Sequence, residues 1–386
     1  MRKCLRLSDY LDAPGDGRKQ PHIPASALLW AMLISFILRE WSFLAIEALV
    51  GSAARGLGVR HHFSNDALTY FVERLDPEPT RQAAAAVLKQ AKRNKAFETC
   101  RYIGLAVDGT GAGRSREERC PLCRPVRDKE GRVHRHEHRL TMISVVGTGL
   151  SLPFDVEPYG PGDSEYAAGQ RLLRRSVGNL GPRYADYVAV DGEFATAPFL
   201  HCAGELGLRV IARLKENLPE LLGAARRRFE GTAPHQRFQH GKDQVELWDA
   251  GDFDPWETLD WTTVRVLRYR QTKPDGKVVE AYWLTDFRQR ELGSRALFLA
   301  AKSRWEIENQ GFNDAKNRYG FEHIRHHHAN AMLLCWLLIA LAMTIERLYR
   351  LRYLHRGGRP PHTAIELVRL LRRAAYQAPS GSYDTS

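Results

Sequence analysis

The sequence predicts an α/β protein: a strand-rich core, a helical N-terminal domain ahead of it, and a β-rich insertion before its last helices. Three observations predict this. Apolar residues recur at helical spacing up to about residue 95, then give way to short apolar runs of strand length. Two of those runs end alike, in Ala106-Val107-Asp108-Gly109 and Ala189-Val190-Asp191-Gly192. Between residues 244 and 286, strand-like runs flank a Pro274-Asp275-Gly276 turn.

The first 25 residues are polar and irregular, broken by Pro14, Gly15, Gly17 and Pro21. From Ala25 to Leu75, Leu28, Met32, Phe36 and Ile37, then Phe43, Ile46, Ala48 and Leu49, keep a helical period. Ser64-Asn65 caps a further helix, Asp76-Pro77-Glu78-Pro79 ends it, and another runs from Thr80 to Arg93. Arg55, Arg60, His61 and His62 fall at the expected turn. Residues 1–98 therefore read as a helical domain, either a plain bundle or a DNA reader with a helix-turn-helix element.

Strands are expected at Tyr102–Val107, Leu140–Val146, Leu152–Val156, Tyr187–Val190 and Leu208–Leu214, with helices at Ser164–Val177 and Ala197–Leu206. Residues 99–214 would form the first part of the catalytic core. Residues 215–292 hold a short helix (Leu218–Phe229), strands at Gln244–Trp248, Thr262–Gln271 and Val278–Asp286, and four of the eight tryptophans, and read as the insertion. Helices over 294–319 and 328–355 complete the core. A basic tail, 356–386, carries one more helix near Thr363–Tyr376 and is expected to be disordered from 378.

Lys and Arg number 57 against 45 Asp and Glu, a net charge of +12 in 386 residues. Such a field attracts polyanions, nucleic acid first among them. Six sparse cysteines do not make a disulfide framework and suit a reducing, cytoplasmic setting. The N-terminus has no signal-peptide core. The apolar runs Leu28–Leu38 and Ala331–Ile345 are shorter than the roughly 20 residues a membrane span needs, so both are expected as buried helices.

Asp108 and Asp191, each closing a strand, lie where α/β sheets gather ligands, although Asp-Gly is also a common turn pair. In a helix through Ser303–Lys316, Ala301, Trp305, Glu308, Phe312 and Ala315 fall within roughly 60° of one direction. A carboxylate on that apolar stripe is costly unless it is paired or bound to metal, and Arg304 stands one turn away. Three carboxylates on separate elements suit two-metal phosphoryl transfer with Mg²⁺ or Mn²⁺.

A second metal pattern is Cys120-Pro121-Leu122-Cys123 followed by His134, His136 and His138. Thiolate and imidazole at such spacing suit a structural zinc ion. The alternating histidines suit a basic, DNA-facing strand edge equally well. His326-His327-His328 reads as a solvated helix start.

On these residues the chain resembles the DDE transposases of bacterial insertion sequences, in the group with a Tyr-Arg-Glu-Lys signature. The similar motifs are Val107-Asp108-Gly109-Thr110-Gly111, Val190-Asp191-Gly192-Glu193-Phe194 and Arg304-Trp305-Glu306-Ile307-Glu308, across roughly residues 25–350. Ala301 stands where the signature has tyrosine, and Ala315 where it has lysine, with Lys316 the nearest substitute. The resemblance implies an RNase H-like core that cleaves transposon ends and joins them to target DNA. It implies Asp108, Asp191 and Glu308 as Mg²⁺ ligands, and Arg304 and Lys316 orienting Glu308 or contacting phosphate. Trp283 would stack on a base or simply pack in its strand. Double-stranded DNA (terminal inverted repeats and target) and a second copy in a synaptic homodimer would be the partners, with no membrane. A DNA-binding remnant without activity and another RNase H-like nuclease are the alternatives.

Overall fold

The computed structural model describes residues 5–7, 9, 15–59, 61–351 and 363–377. Arg60, Arg352, Arg356 and the 378–386 tail of the sequence reading, and the side chain of Arg55, lie outside the described residues.

Ahead of the sheet lie helices α1 (Ala25–Ile37), α2 (Phe43–Leu57), α3 (Asn65–Arg74) and α4 (Glu78–Arg93). Ser64 caps α3, its hydroxyl accepting from the Ala67 amide. These helices share a hydrophobic core with much of the molecule, while Val245, Leu267, Trp283 and Phe298 belong to a second cluster. The Asn330 side chain donates to the carbonyls of Val72 and Leu75 at the end of α3, and Arg39 pairs with buried Glu346 at 3.0 Å.

The strands are β1 (Gly104–Ser115), β2 (Arg124–Arg127), β3 (Val133–Val146), β4 (Leu152–Tyr159), β5 (Tyr187–Val190), β6 (Arg209–Leu214), β7 (Gln236–His240), β8 (Asp243–Phe253), β9 (Val264–Thr272) and β10 (Val278–Thr285). All belong to one mixed sheet. Its core runs β4-β3-β1-β5-β6; β5 and β6 lie parallel to β1, and β3 is reversed against both its neighbours. Helices α5 (Glu165–Leu180) and α6 (Ala197–Glu205) provide the crossovers, as helical connections between parallel strands do.

In the β-rich segment 215–292, after α7 (Pro219–Phe229), β10 pairs antiparallel with β6, and β9, β8 and β7 extend the same sheet. Two sequence expectations change here. The first strand does not stop at Asp108. It continues to Ser115 because β3 is long enough to pair with it as far as His136. Strands β2 and β7 were not expected; both are mostly polar edge strands, which need no apolar face to be held by a partner.

The expected helix over 294–319 is also broken. Helix α8 (Ser294–Ser303) leads through Arg304 into a π-helical turn, Ile307–Phe312, and then α9 (Asn313–Tyr319), which ends at Gly320 with φ +59°. Such widened turns recur at functional sites. Helix α10 (Ala329–Tyr349) follows, 21 residues long and thus long and apolar enough to cross a membrane by composition. Its apolar window is 94% buried, however, against β4, α1, α3 and α4. Helix α11 (Ala364–Tyr376) starts at a Thr363–Glu366 capping box.

Candidate active site

Strands β1 and β5 are held in parallel register by Val107 opposite Val190. Strand β5 is short and wholly buried, and ends at that pair. Asp108, still within β1, and Asp191, the first residue past β5, directly follow that pair and so come side by side. Asp191 leads into a one-turn helix, Gly192–Phe194, anchored by Phe194. That ring is buried, tilted against Phe199 at 5.3 Å, and packed so tightly on Gly169 that a Cβ there would lie 2.5 Å from it.

Glu308 arrives from the π-helical turn. Arg304, its side chain 5% exposed, joins it to the sheet: Nη2 donates to Glu308 Oε1 at 2.7 Å and Nη1 to Asp108 Oδ2 at 3.0 Å. One guanidinium fork thus spans two of the three acids. Glu308 is 41% exposed at its side chain rather than sunk in the apolar face, because the widened turn carries Ile307 inward and rotates Glu308 outward. Half-buried Glu306 stands immediately before that turn. Burial pushes it up to about 7, while the Gly147 amide donates to it at 3.0 Å.

Burial likewise pushes Asp108 up to about 7; Glu308 and Glu165 add to the push, and Arg304 and the Gly109 amide oppose it. For Asp191, burial is outweighed by Lys215, which donates at 2.6 Å, and by Arg304 and the Gly192 amide, so its carboxyl sits below the usual range.

Two neighbours escaped the sequence reading. Glu165, in the first turn of α5, takes a hydrogen bond from Tyr159 Oη at 3.0 Å, and its carboxyl is raised by burial and by Glu193 and Asp191. Its carboxyl carbon lies 2.0 Å from where a Cβ on Gly109 would stand, so only glycine leaves it room beside Asp108. In sequence it is an ordinary acidic residue at a helix start, favoured there by the helix dipole; the glycine after Asp108 was its one trace. Lys215, just past β6, looks like any surface lysine.

Lys316 and Trp283 sit elsewhere. Lys316 pairs with Glu322 at 3.1 Å, not with the acids. Trp283 is 0% exposed, edge-on to Trp305 at 5.9 Å, so it packs in its strand and offers no face to a nucleic-acid base.

The thiols of Cys120 and Cys123, His138 on β3 and His327 ahead of α10 bring their ligand atoms within 4.8 Å of one another, a group able to hold a metal ion. His134 and His136 are outside it. His134 Nδ1 lies 3.1 Å from the Val126 carbonyl, and His136 faces Glu118 at 4.0 Å. Same-face residues on a strand are about 6.6–6.8 Å apart, too far for three in a row to share one ion.

No family model matches the chain, and no curated protein matches it. Among solved structures it is similar to a piggyBac transposase, seen by cryo-EM in a synaptic complex with hairpin DNA. The TM-score is 0.49 at 12% identity, over 97% of this chain and 79% of that one.

Proposed function

We propose that this protein is a DDE-type DNA transposase with an RNase H-like core, which cleaves transposon ends and joins them to target DNA. The observation that supports the reading is that Asp108 and Asp191 directly follow paired residues of two parallel strands while Arg304 ties Glu308 to Asp108. The mixed order β4-β3-β1-β5-β6 with β3 reversed supports the core assignment.

The donor set fits hard divalent cations. Every side chain offered is a carboxylate, and Asp108, raised mainly by burial with Glu308 and Glu165 adding to it, would be held ionised by a bound cation. Asp108, Asp191 and Glu308 would hold Mg²⁺ or Mn²⁺, and Glu165 stands within the same cluster. When bound, such ions lower the pKa of water and neutralise charge building on phosphate. The protein's own contribution is positioning. Arg304 fixes Asp108 and Glu308 relative to each other, and Lys215 restrains Asp191. The exposed Arg226-Arg227-Arg228 face of α7, with the +12 charge, suits the phosphodiester backbone of double-stranded DNA. A second copy in a synaptic complex, a cytoplasmic setting and membership of the insertion-sequence group belong to the same proposal.

The test is strand cleavage and joining on DNA carrying the inverted repeats that flank the gene, with Mg²⁺ or Mn²⁺. Asp108→Ala should abolish cleavage and leave DNA binding largely intact. A wild-type protein that binds those ends yet never cuts them overturns the proposal, as does one that cleaves branched or hybrid substrates and never joins ends.

A further inference from the structure

We propose that Cys120, Cys123, His138 and His327 bind a single zinc ion that fastens the outer part of the β1–β2–β3 arm to the segment leading into α10. The Cys-x-x-Cys turn closes through the Cys123 amide donating to the Cys120 carbonyl at 3.1 Å, which brings both sulfurs to one side. The sulfurs are free thiols 3.5 Å apart. His138 Nε2 lies 3.2 Å from Cys120 Sγ and 3.4 Å from Cys123 Sγ. Zinc bonds of about 2.3 Å to sulfur and about 2.0–2.1 Å to nitrogen, arranged tetrahedrally, separate ligand atoms by roughly 3.3–3.8 Å. The Cys120–Cys123 spacing of 3.5 Å and the Cys123–His138 spacing of 3.4 Å fall in that range, the Cys120–His138 spacing of 3.2 Å lies just below it, and all four ligand atoms lie within 4.8 Å of one another.

The surroundings are those of a closed structural site. Cys120, Cys123 and His138 are all buried, His138 completely. The Arg119 amide points at Cys123 Sγ from 3.5 Å, the kind of outer donor that steadies a metal-bound thiolate. Two sulfurs and two nitrogens are a soft set that selects zinc over magnesium, so this site does not compete with the carboxylates for their ion.

The proposed clamp lies at a junction the fold already packs tightly. A Cβ on Gly113 of β1 would lie 2.5 Å from Ile324 Cδ1 and 3.0 Å from the Glu322 carbonyl, so strand and segment are in close backbone approach. One on Gly160 would lie 2.7 Å from the Pro121 carbonyl, seating the Cys-x-x-Cys turn on the end of β4. An ion there joins three stretches far apart in the chain and holds an arm that carries Arg114, Arg116, Arg119, Arg124, Arg127 and Arg135.

The experiment uses the full chain purified without chelator and does not depend on transposase activity. Elemental analysis should find one zinc per chain, and X-ray absorption at the zinc edge two sulfur and two nitrogen ligands. His327→Asn should weaken retention against a chelator by more than the roughly 10–100-fold that loss of an outer-shell partner costs, whereas His134→Ala and His136→Ala should keep the metal. Cobalt(II) added to metal-stripped protein should give the thiolate-to-cobalt absorption of a tetrahedral site. A wild-type chain that holds no zinc and shows no such band overturns the proposal. So does a chain that loses zinc on His134 or His136 substitution but keeps it in His327→Asn. If Cys123→Ser fails to fold, the wild-type spectra still decide.

Discussion

Arg304 and Asp108 form a buried ion pair between elements that approach each other only in the folded chain, 3.0 Å from guanidinium Nη1 to carboxylate Oδ2, with Glu308 on the other arm of the fork. Lysine cannot span both acids, because it is a point charge without the planar fork. Arg304→Lys should therefore lower strand cleavage by about 100-fold, the cost of an approximately 1 Å misplacement at a reacting centre. DNA affinity should change little. Parallel cleavage kinetics and gel-shift titrations check this, and an equal loss in both would mean that Arg304 binds DNA rather than orienting acids.

The raised Asp108 has a consequence for stability. Its folded value of about 7 lies above the 3.8 of the free group, so burial costs stability once the unfolded chain ionises. The sign follows: without added Mg²⁺, the penalty grows as pH rises from about 4 to about 7 and is constant above that. Asp108→Asn removes it. The variant should melt higher than wild type at pH 8, with the difference shrinking towards pH 4. Thermal melts across that range test the expectation; a pH-independent difference would contradict it.

Glu165 adds to the raising of the Asp108 carboxyl, after burial and Glu308. Glu165→Gln should let Asp108 ionise at lower pH, shifting the acid limb of the cleavage profile downward. A merely structural role would lower the rate without moving that limb.

Gly109→Ala places a methyl group where the Glu165 carboxyl now lies, 2.0 Å from its carbon. The clash is with the far end of a flexible side chain, so the fold should survive while Glu165 is displaced. Cleavage should fall several-fold, and Gly109→Ala should cost almost nothing further once Glu165 is alanine. A double-mutant cycle on cleavage rates reads this coupling directly.

Away from the site, Asp155 on β4 is 2% exposed and accepts from Arg81 on α4, Arg175 on α5 and Ser176. Asp155→Ala leaves two largely buried guanidinium groups short of their partner and should destabilise the protein by about 3–5 kcal/mol. Chemical denaturation measures it. A loss below about 1 kcal/mol would mean that Glu157, which also meets both arginines, compensates.

Much of the core was readable from local pattern. Tyr187–Val190 is a strand with the bounds its apolar run implies, and Ser64 caps the helix it precedes. Where the reading failed, the signal was not local. Strands β2 and β7 carry little apolar patterning because a partner's backbone holds them at the sheet edge. The π-helical turn at Ile307–Phe312 breaks the helical period on which the position of Glu308 was reckoned.

By itself the sequence determined where the apolar core strands lie, which helices are apolar, and that the chain is strongly basic, because those properties are periodic or additive along the chain. Only the tertiary structure decided that Arg304 bridges Asp108 to Glu308, that Glu165 and Lys215 join the acids, and that His327, not His134 or His136, stands beside the two cysteines. The physical reason is one of range. Hydrophobic period and capping act over a few residues, whereas charge pairing and metal ligation act over a few ångströms, between residues that only the packed sheet brings together.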